Sequence, residues 1–312
     1  MIFVFTLLSC LLLLFVERLI GIGWDYHPDS VTYFEGIGFY KFQELDNLLD
    51  LSNTAHYFLV DYIGTLEGVV AFNIIITALG NQIIYDAIIK KINNNLKIIL
   101  LIYLFLPYKI HLAITLLKDS FIIFSIVLYY FTRIWYLGVI LGIIYRNAFI
   151  FYLPLKNNFN YKNFTFLSLF IFYLFYTGTN NEALQLASEV DMKFRHYDLI
   201  PSFNELGGIL GAIVRSVVWP IITVTGLFII ISPTLQYFPI AIGSFMLIIF
   251  LIKFKIKIEE LFPIFLFLAI FACIAPGYTT FTRYIFPVMC NLPFLLILSR
   301  KYNDKLNRNY SE

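Results

Sequence analysis

Charge is what this sequence has least of. Asp, Glu, Lys and Arg make up 13% of its 312 residues, while 60% are hydrophobic and the mean hydropathy is +0.81. An ordinary soluble domain carries about twice that charge fraction. A water-facing surface for a globule of this size is therefore out of reach, which excludes a compact cytosolic enzyme, and the apolar content excludes disorder. The net charge of +2 is too balanced for a nucleic-acid partner. Cysteine is scarce as well. Cys10, Cys273 and Cys290 are odd in number, lie in apolar runs and have no ligand spacing, so neither a disulfide framework nor a thiolate metal site is implied. The histidines His27, His56, His111 and His196 show no HxxxH or HExxH spacing, and no zinc site is expected. Missing too are a GxGxxG or P-loop run, a serine-nucleophile motif, an internal repeat and a long polar tail. What remains is an all-α, polytopic membrane helix bundle forming one integral domain over residues 1–312.

A helix needs about 20 apolar residues to cross a bilayer core. Ile2–Val16, closed by Glu17-Arg18, is the first candidate, and without a basic leader or a small-residue cleavage site it reads as an anchor rather than a removed signal. A wet stretch over residues 21–60 follows, whose second half, Val31–Leu51, alternates apolar and acidic positions as an amphipathic surface helix would. Further spans are expected at Asp61–Tyr85, at Leu96–Leu117 through a kink at Pro107, and at Phe121–Ile134 after a Lys118-Asp119-Ser120 cap. Later ones fall at Asn163–Tyr176, Ile221–Ile231, Phe238–Ile252, Leu261–Ala275 and Ile285–Leu298.

Two apolar segments are interrupted, Trp135–Leu155 by Arg146-Asn147 and Gly207–Ile231 by Arg215 and Trp219-Pro220. Either both cross, giving about ten transmembrane segments, or both re-enter, giving eight and two hairpins. The lysines at 90, 91, 97, 253, 255 and 257 and the basic tail place both termini inside by the positive-inside rule. Residues 21–60 then face outside. The polar loop over residues 180–208 is external if the interrupted segments re-enter, the arrangement favoured because broken helices at membrane depth line cavities.

Ionisable groups within apolar segments carry the chemistry, since each costs about 2.5–3.5 kcal/mol at a helix centre. Glu67 stands in the second expected span, Arg146 lies mid-segment, and Lys109, His111, Lys118 and Asp119 surround one turn. Arg215 precedes Trp219-Pro220, and Arg283 follows Pro276-Gly277. Lys118, Arg146, Arg215 and Arg283 together form a cationic set suited to a phosphate or diphosphate, because guanidinium forks bind phosphate bidentately. The first external loop offers Asp25, Asp29 and Glu35 among Trp24, Tyr26 and Tyr33: carboxylates fit to deprotonate a hydroxyl, beside rings suited to sugar faces. Each feature also has a plainer role. Asp29-Ser30 and Asp119-Ser120 can be helix caps, Lys118 can snorkel, Arg283 can be an interfacial anchor, and Glu67 can pair with an interior cation.

The order of these features resembles the multi-span bacterial polysaccharide polymerases of the Wzy and EpsG kind, placed with the GT-C-type glycosyltransferases. The likeness rests on the first-loop run His27-Pro28-Asp29-Ser30-Val31-Thr32-Tyr33 and on the Pro-kinked span ending in Leu116-Leu117-Lys118-Asp119-Ser120, similar to an (R/K)-D turn. It continues in Tyr145-Arg146-Asn147-Ala148-Phe149, similar to an embedded R-N segment, in Val214 to Pro220 around Arg215, and in Phe281 to Pro287 around Arg283. The resemblance implies a GT-C-like bundle in the bacterial inner membrane that transfers an undecaprenyl-diphosphate-linked oligosaccharide repeat unit onto an acceptor repeat at the outer leaflet. It further implies that Arg215 and Arg283, with Arg146 or Lys118, hold the leaving diphosphate. Asp29 would be the base, Asp25 and Glu35 its substitutes, Asp119 part of the substrate site, and Trp24 and Tyr33 sugar platforms. No cofactor is implied, and the resemblance leaves a divalent ion open. The partners implied are the lipid-linked substrate, membrane lipids, and chain-length-regulator and flippase proteins. A transporter or flippase for a lipid-linked glycan or small anion explains the buried cations by another route, and a non-catalytic assembly component is the third alternative.

Overall fold

The computed structural model describes residues 1–22, 30, 33, 48–92, 94–156, 159–180, 182, 185, 200–232 and 237–309. Among these every regular element is a helix. In chain order they are α1 (Ile2–Leu19), α2 (Leu48–Ile63), α3 (Leu66–Ala87), α4 (Asn94–Leu104), α5 (Pro107–Ala113), α6 (Asp119–Phe131), α7 (Trp135–Tyr145) and α8 (Phe159–Thr179). After these come α9 (Gly208–Thr225), α10 (Phe228–Ile231), α11 (Phe238–Lys253), α12 (Ile258–Ile274), α13 (Tyr278–Met289) and α14 (Leu292–Asn309). Among the described residues four stretches are long and apolar enough to cross a membrane: Ile2–Leu19, Leu66–Lys91, Leu96–Ala113 and Gly208–Thr225. A fifth results if Tyr278–Met289 and Leu292–Arg300 count as one span. These helices fit an integral membrane protein.

Where the sequence suggested a single domain, packing divides the chain into two units, Met1–Leu153 with Cys290–Glu312, and Pro154–Met289. In the first, α1 lies antiparallel on α3: Phe3 N donates to Gln82 Oε1 at 3.1 Å and Asn81 Nδ2 to Thr6 Oγ1 at 3.2 Å. The helix α3 packs in turn on α6, and α6 on α7. That last contact is backbone against backbone, because a Cβ at Gly138 would stand 2.5 Å from Tyr129 N and 2.6 Å from Ser125 O. Small residues permit such approaches between membrane helices, where dispersion replaces the hydrophobic driving force. In the second unit α9 packs on α8, α11 and α12, and α12 on α8 and α13.

Several expected boundaries move. The chain breaks at Gly64, and Thr65 caps α3 by accepting from Gly68 N at 3.2 Å. Glu67 is therefore an exposed acid in a first turn, where the helix dipole favours it, rather than a charge some 9 Å deep in a span. The segment Gly207–Ile231 is not interrupted where expected: α9 runs unbroken through Arg215, Trp219 and Pro220 to Thr225, and the chain turns only at Gly226, which has φ +74°, before α10. Arg215 does not break it because its guanidinium is bonded to protein acceptors, and proline is tolerated in membrane helices whose freed groups find partners. The segment Trp135–Leu155 does break, since α7 stops at Tyr145, Arg146 is extended and a 3₁₀ stretch covers Asn147–Lys156. The span expected at Ile285–Leu298 is split at Cys290-Asn291 between α13 and α14. The surface helix expected at Val31–Leu51 lies largely outside the described residues, although α2 begins at Leu48.

Candidate functional site

The first unit contains a helix break whose backbone groups find their partners in side chains from neighbouring helices. After α5 the chain runs non-helically over Ile114–Lys118 before α6 begins. Buried carbonyls in such a stretch need donors. Asn73, on α3, donates from Nδ2 to Thr115 O at 2.8 Å and to Leu117 O at 3.3 Å. His56, on α2, bonds Leu116 O through Nε2 at 2.6 Å, so that nitrogen carries the proton. Lys118 O accepts from Phe121 N and Ile122 N. Asn73 and His56 are fully buried, and Asn73 Oδ1 has no hydrogen-bond partner among the described residues.

This scaffold places Asp119 as the first residue of α6. The expected cap is absent, since Lys118 in the capping position makes no side-chain capping bond. Instead Arg146 Nη2 donates to Asp119 Oδ1 at 2.8 Å, with both side chains buried. Arg146 reaches it because α7 ends one residue earlier. The following turn is fastened by Phe149, whose ring occupies the space a Cβ at Gly142 would need, and by Tyr130, whose hydroxyl donates to Tyr152 O. The carboxylate also sits at the positive end of the α6 dipole.

Aromatic rings surround the pair. Phe121 and Tyr145 stack with centroids 4.3 Å apart, and the His56 ring stands edge-on to Tyr145 at 6.0 Å and to Tyr33 at 4.5 Å. Tyr33 meets Tyr57 at 5.1 Å. Thus the end of the first loop, the Lys118-Asp119-Ser120 turn and the Tyr145-Arg146 break come together in one unit, around a charge pair. Tyr33, expected to stack on sugar, is buried with its ring against His56 and Tyr57. Lys118 is half-buried beside the pair in sequence. Trp24, Asp25, Asp29 and Glu35 lie outside the described residues.

The second unit holds the other two expected cations. Arg215 is 1% exposed and donates from Nε to Ala272 O at 3.0 Å, from Nη2 to Cys273 O at 3.3 Å, and from Nη1 to Ser202 O at 3.4 Å and to Asn204 Oδ1. The first two acceptors belong to the last turn of α12, whose carbonyls have no helical donors left. The Arg215 guanidinium also lies 5.8 Å from the Trp219 ring, whose Nε1 donates to Pro201 O at 3.1 Å. Gly211 lets this strap approach: a Cβ there would stand 2.4 Å from Phe203 O. With its donors so engaged, Arg215 ties α9, α12 and the Pro201–Asn204 strap together; a diphosphate would have to displace those carbonyls. Arg283 stands half-buried within α13.

Sequence reasoning gave no site role to His56 or Asn73. The partner of each lies far along the chain, 60 residues away for His56 and 42 for Asn73. No local spacing could announce them. Lys109 is a further surprise: it is 1% exposed and donates to Asn81 Oδ1 at 2.7 Å, within electrostatic reach of the Cys10 and Cys290 thiols. Among the described residues no three His, Cys, Asp or Glu side chains gather where they could hold a metal ion. No protein-family model, curated protein or solved structure matches the chain.

Proposed function

We propose that this chain is a membrane glycosyltransferase that polymerises undecaprenyl-diphosphate-linked oligosaccharide repeat units into a surface polysaccharide, at the outer face of a bacterial inner membrane. The observation that carries the reading is the Arg146–Asp119 pair. It joins two runs, Lys118-Asp119-Ser120 and Tyr145-Arg146-Asn147, that resemble such polymerases independently, and Tyr33 links the end of the first-loop run to the same aromatic cluster. An arginine held by a carboxylate in a low-dielectric site can turn to a phosphate when the ligand arrives, and is then worth far more than it would be in water. In this scheme Arg146, with Lys118, stabilises the leaving diphosphate, and Arg215 holds the α9–α12 frame. Asp29, with Asp25 or Glu35 as substitute, removes the proton of the acceptor hydroxyl, and Trp24 stacks on a sugar.

The proposal keeps about ten transmembrane segments and both termini inside. Beside the four or five longer stretches, the shorter apolar helices Asp119–Phe131, Trp135–Tyr145, Thr165–Thr179 and Phe238–Lys253 would supply up to four more. The test is deletion of the gene, gel analysis of the surface glycan, and complementation with Arg146→Lys and Asp29→Asn. Arg146→Lys keeps a cation for Asp119 but loses the planar fork. The expected outcome is loss of the long-chain ladder with single repeat units still attached, restored by the wild-type gene and by neither variant at normal membrane levels. An unchanged glycan on deletion would remove the reading and favour the transporter.

A further inference from the structure

A groove of about 250 Å³ opens between α1, α3 and the helix break. Leu11 and Leu14 of α1 and Ile74 of α3 form its apolar walls, and Ile114-Thr115 of the break also line it. Because α1 and α3 run antiparallel, the last turn of α1 and the first turn of α3 meet at one end. That end carries Glu17, Arg18 and Glu67, which also line the groove. The three charges do not neutralise one another. Glu17 Oε1 is bonded to His111 Nδ1 at 2.6 Å, while Arg18 and Glu67 make no ion pair among the described residues.

We propose that this groove seats one zwitterionic phospholipid with a primary-ammonium headgroup, a phosphatidylethanolamine-type lipid. The apolar walls take an acyl chain, the Arg18 guanidinium meets the phosphodiester, and the Glu67 and Glu17 carboxylates receive the ammonium N–H donors. Charge complementarity selects this occupant. Arg18 and Glu67, one charge of each sign beside a Glu17 already bonded to His111, match a zwitterion rather than an anion, and a quaternary ammonium offers no N–H to a carboxylate. The lipid would lie against Ile114-Thr115, the same break that Asn73 and His56 hold open, and so would brace the Asp119 turn from its other side. The inference does not rest on the glycosyltransferase reading.

The experiment uses the full-length chain in nanodiscs containing equal amounts of phosphatidylethanolamine, phosphatidylcholine and phosphatidylglycerol with matched acyl chains, followed by native mass spectrometry of the released protein. One phosphatidylethanolamine should be retained per chain. Ala71→Trp, at an exposed position lining the groove, fills it and should abolish retention. Glu67→Gln should reduce the preference for phosphatidylethanolamine over phosphatidylcholine by about 1.5- to fivefold, the range for one exposed charge contact. Retention unchanged in Ala71→Trp, or phosphatidylglycerol retained as well as phosphatidylethanolamine, would overturn the proposal. So would displacement of the lipid by added polyprenyl diphosphate that Ala71→Trp blocks, which would hand the groove to the glycan donor.

Discussion

Arg146 and Arg215 are both buried guanidiniums in apolar helical surroundings, yet they are satisfied in opposite ways. Arg146 faces a carboxylate, Asp119, across 27 residues of sequence. Arg215 faces carbonyl dipoles and the Asn204 amide oxygen. A charge pair in low dielectric can exchange one member for a ligand of the same sign while the remaining charge is compensated throughout. A guanidinium dissolved in carbonyls has no anion to exchange, and removing it strands the end of a helix. The first arrangement suits a working site, and the second suits a fastener.

The largest effect should come from opening the Arg146 pair. Asp119→Ala removes the carboxylate that Arg146 is bonded to and should cost about 3–5 kcal/mol in thermal unfolding of the purified chain, whereas the double replacement Asp119→Leu with Arg146→Met should recover most of it. If the single variant is as stable as the parent, the pair is not desolvated and the contrast with Arg215 collapses. Arg215→Met should cost somewhat less, about 2–3 kcal/mol, through unpaired carbonyls at the end of α12. Arg215→Lys should recover only part of this because it lacks the fork. In the glycan assay, Arg215→Lys should lower polymer yield only in proportion to its folded fraction. A fully folded Arg215→Lys without product would move Arg215 back to the diphosphate.

Asn73→Leu sharpens the comparison further. It frees Thr115 O and Leu117 O at the break and should cost about 1–3 kcal/mol, part of it offset by removing the orphan Oδ1. Hydrogen exchange should then rise over residues 114–118. Smallest of all should be the joint replacement Lys109→Met with Asn81→Leu. It exchanges a buried cation and its amide for apolar groups, and unfolding should shift by no more than about 1 kcal/mol in either direction. A loss much larger than that would mark Lys109 as more than a tolerated charge.

How much of this was legible beforehand varies with the range of the interaction. Low charge and long apolar runs announced a helical membrane protein. Pro107 does open a new helix, because proline acts locally, but the chain leaves that helix at Ala113 rather than near Leu117. Arg146 was singled out since a mid-segment arginine demands a partner, but the sequence could not say which. Asp119 was read as a cap because its position fits one, and only tertiary proximity redirected its carboxylate. The reading failed at Gly207–Ile231 for the converse reason: Arg215 and Pro220 look like interruptions until distant carbonyls and neighbouring helices satisfy them.

The sequence by itself determined the solvent this chain folds in and most of its helices, because transfer of apolar side chains and the demand for internal backbone hydrogen bonds are properties of each segment alone. Only the tertiary structure decided what the buried polar groups are for. The same guanidinium is paired with a carboxylate at 146 and bonded to carbonyl and amide oxygens at 215, because its electrostatic cost depends on which acceptors other segments bring within reach, and no segment encodes its own neighbours.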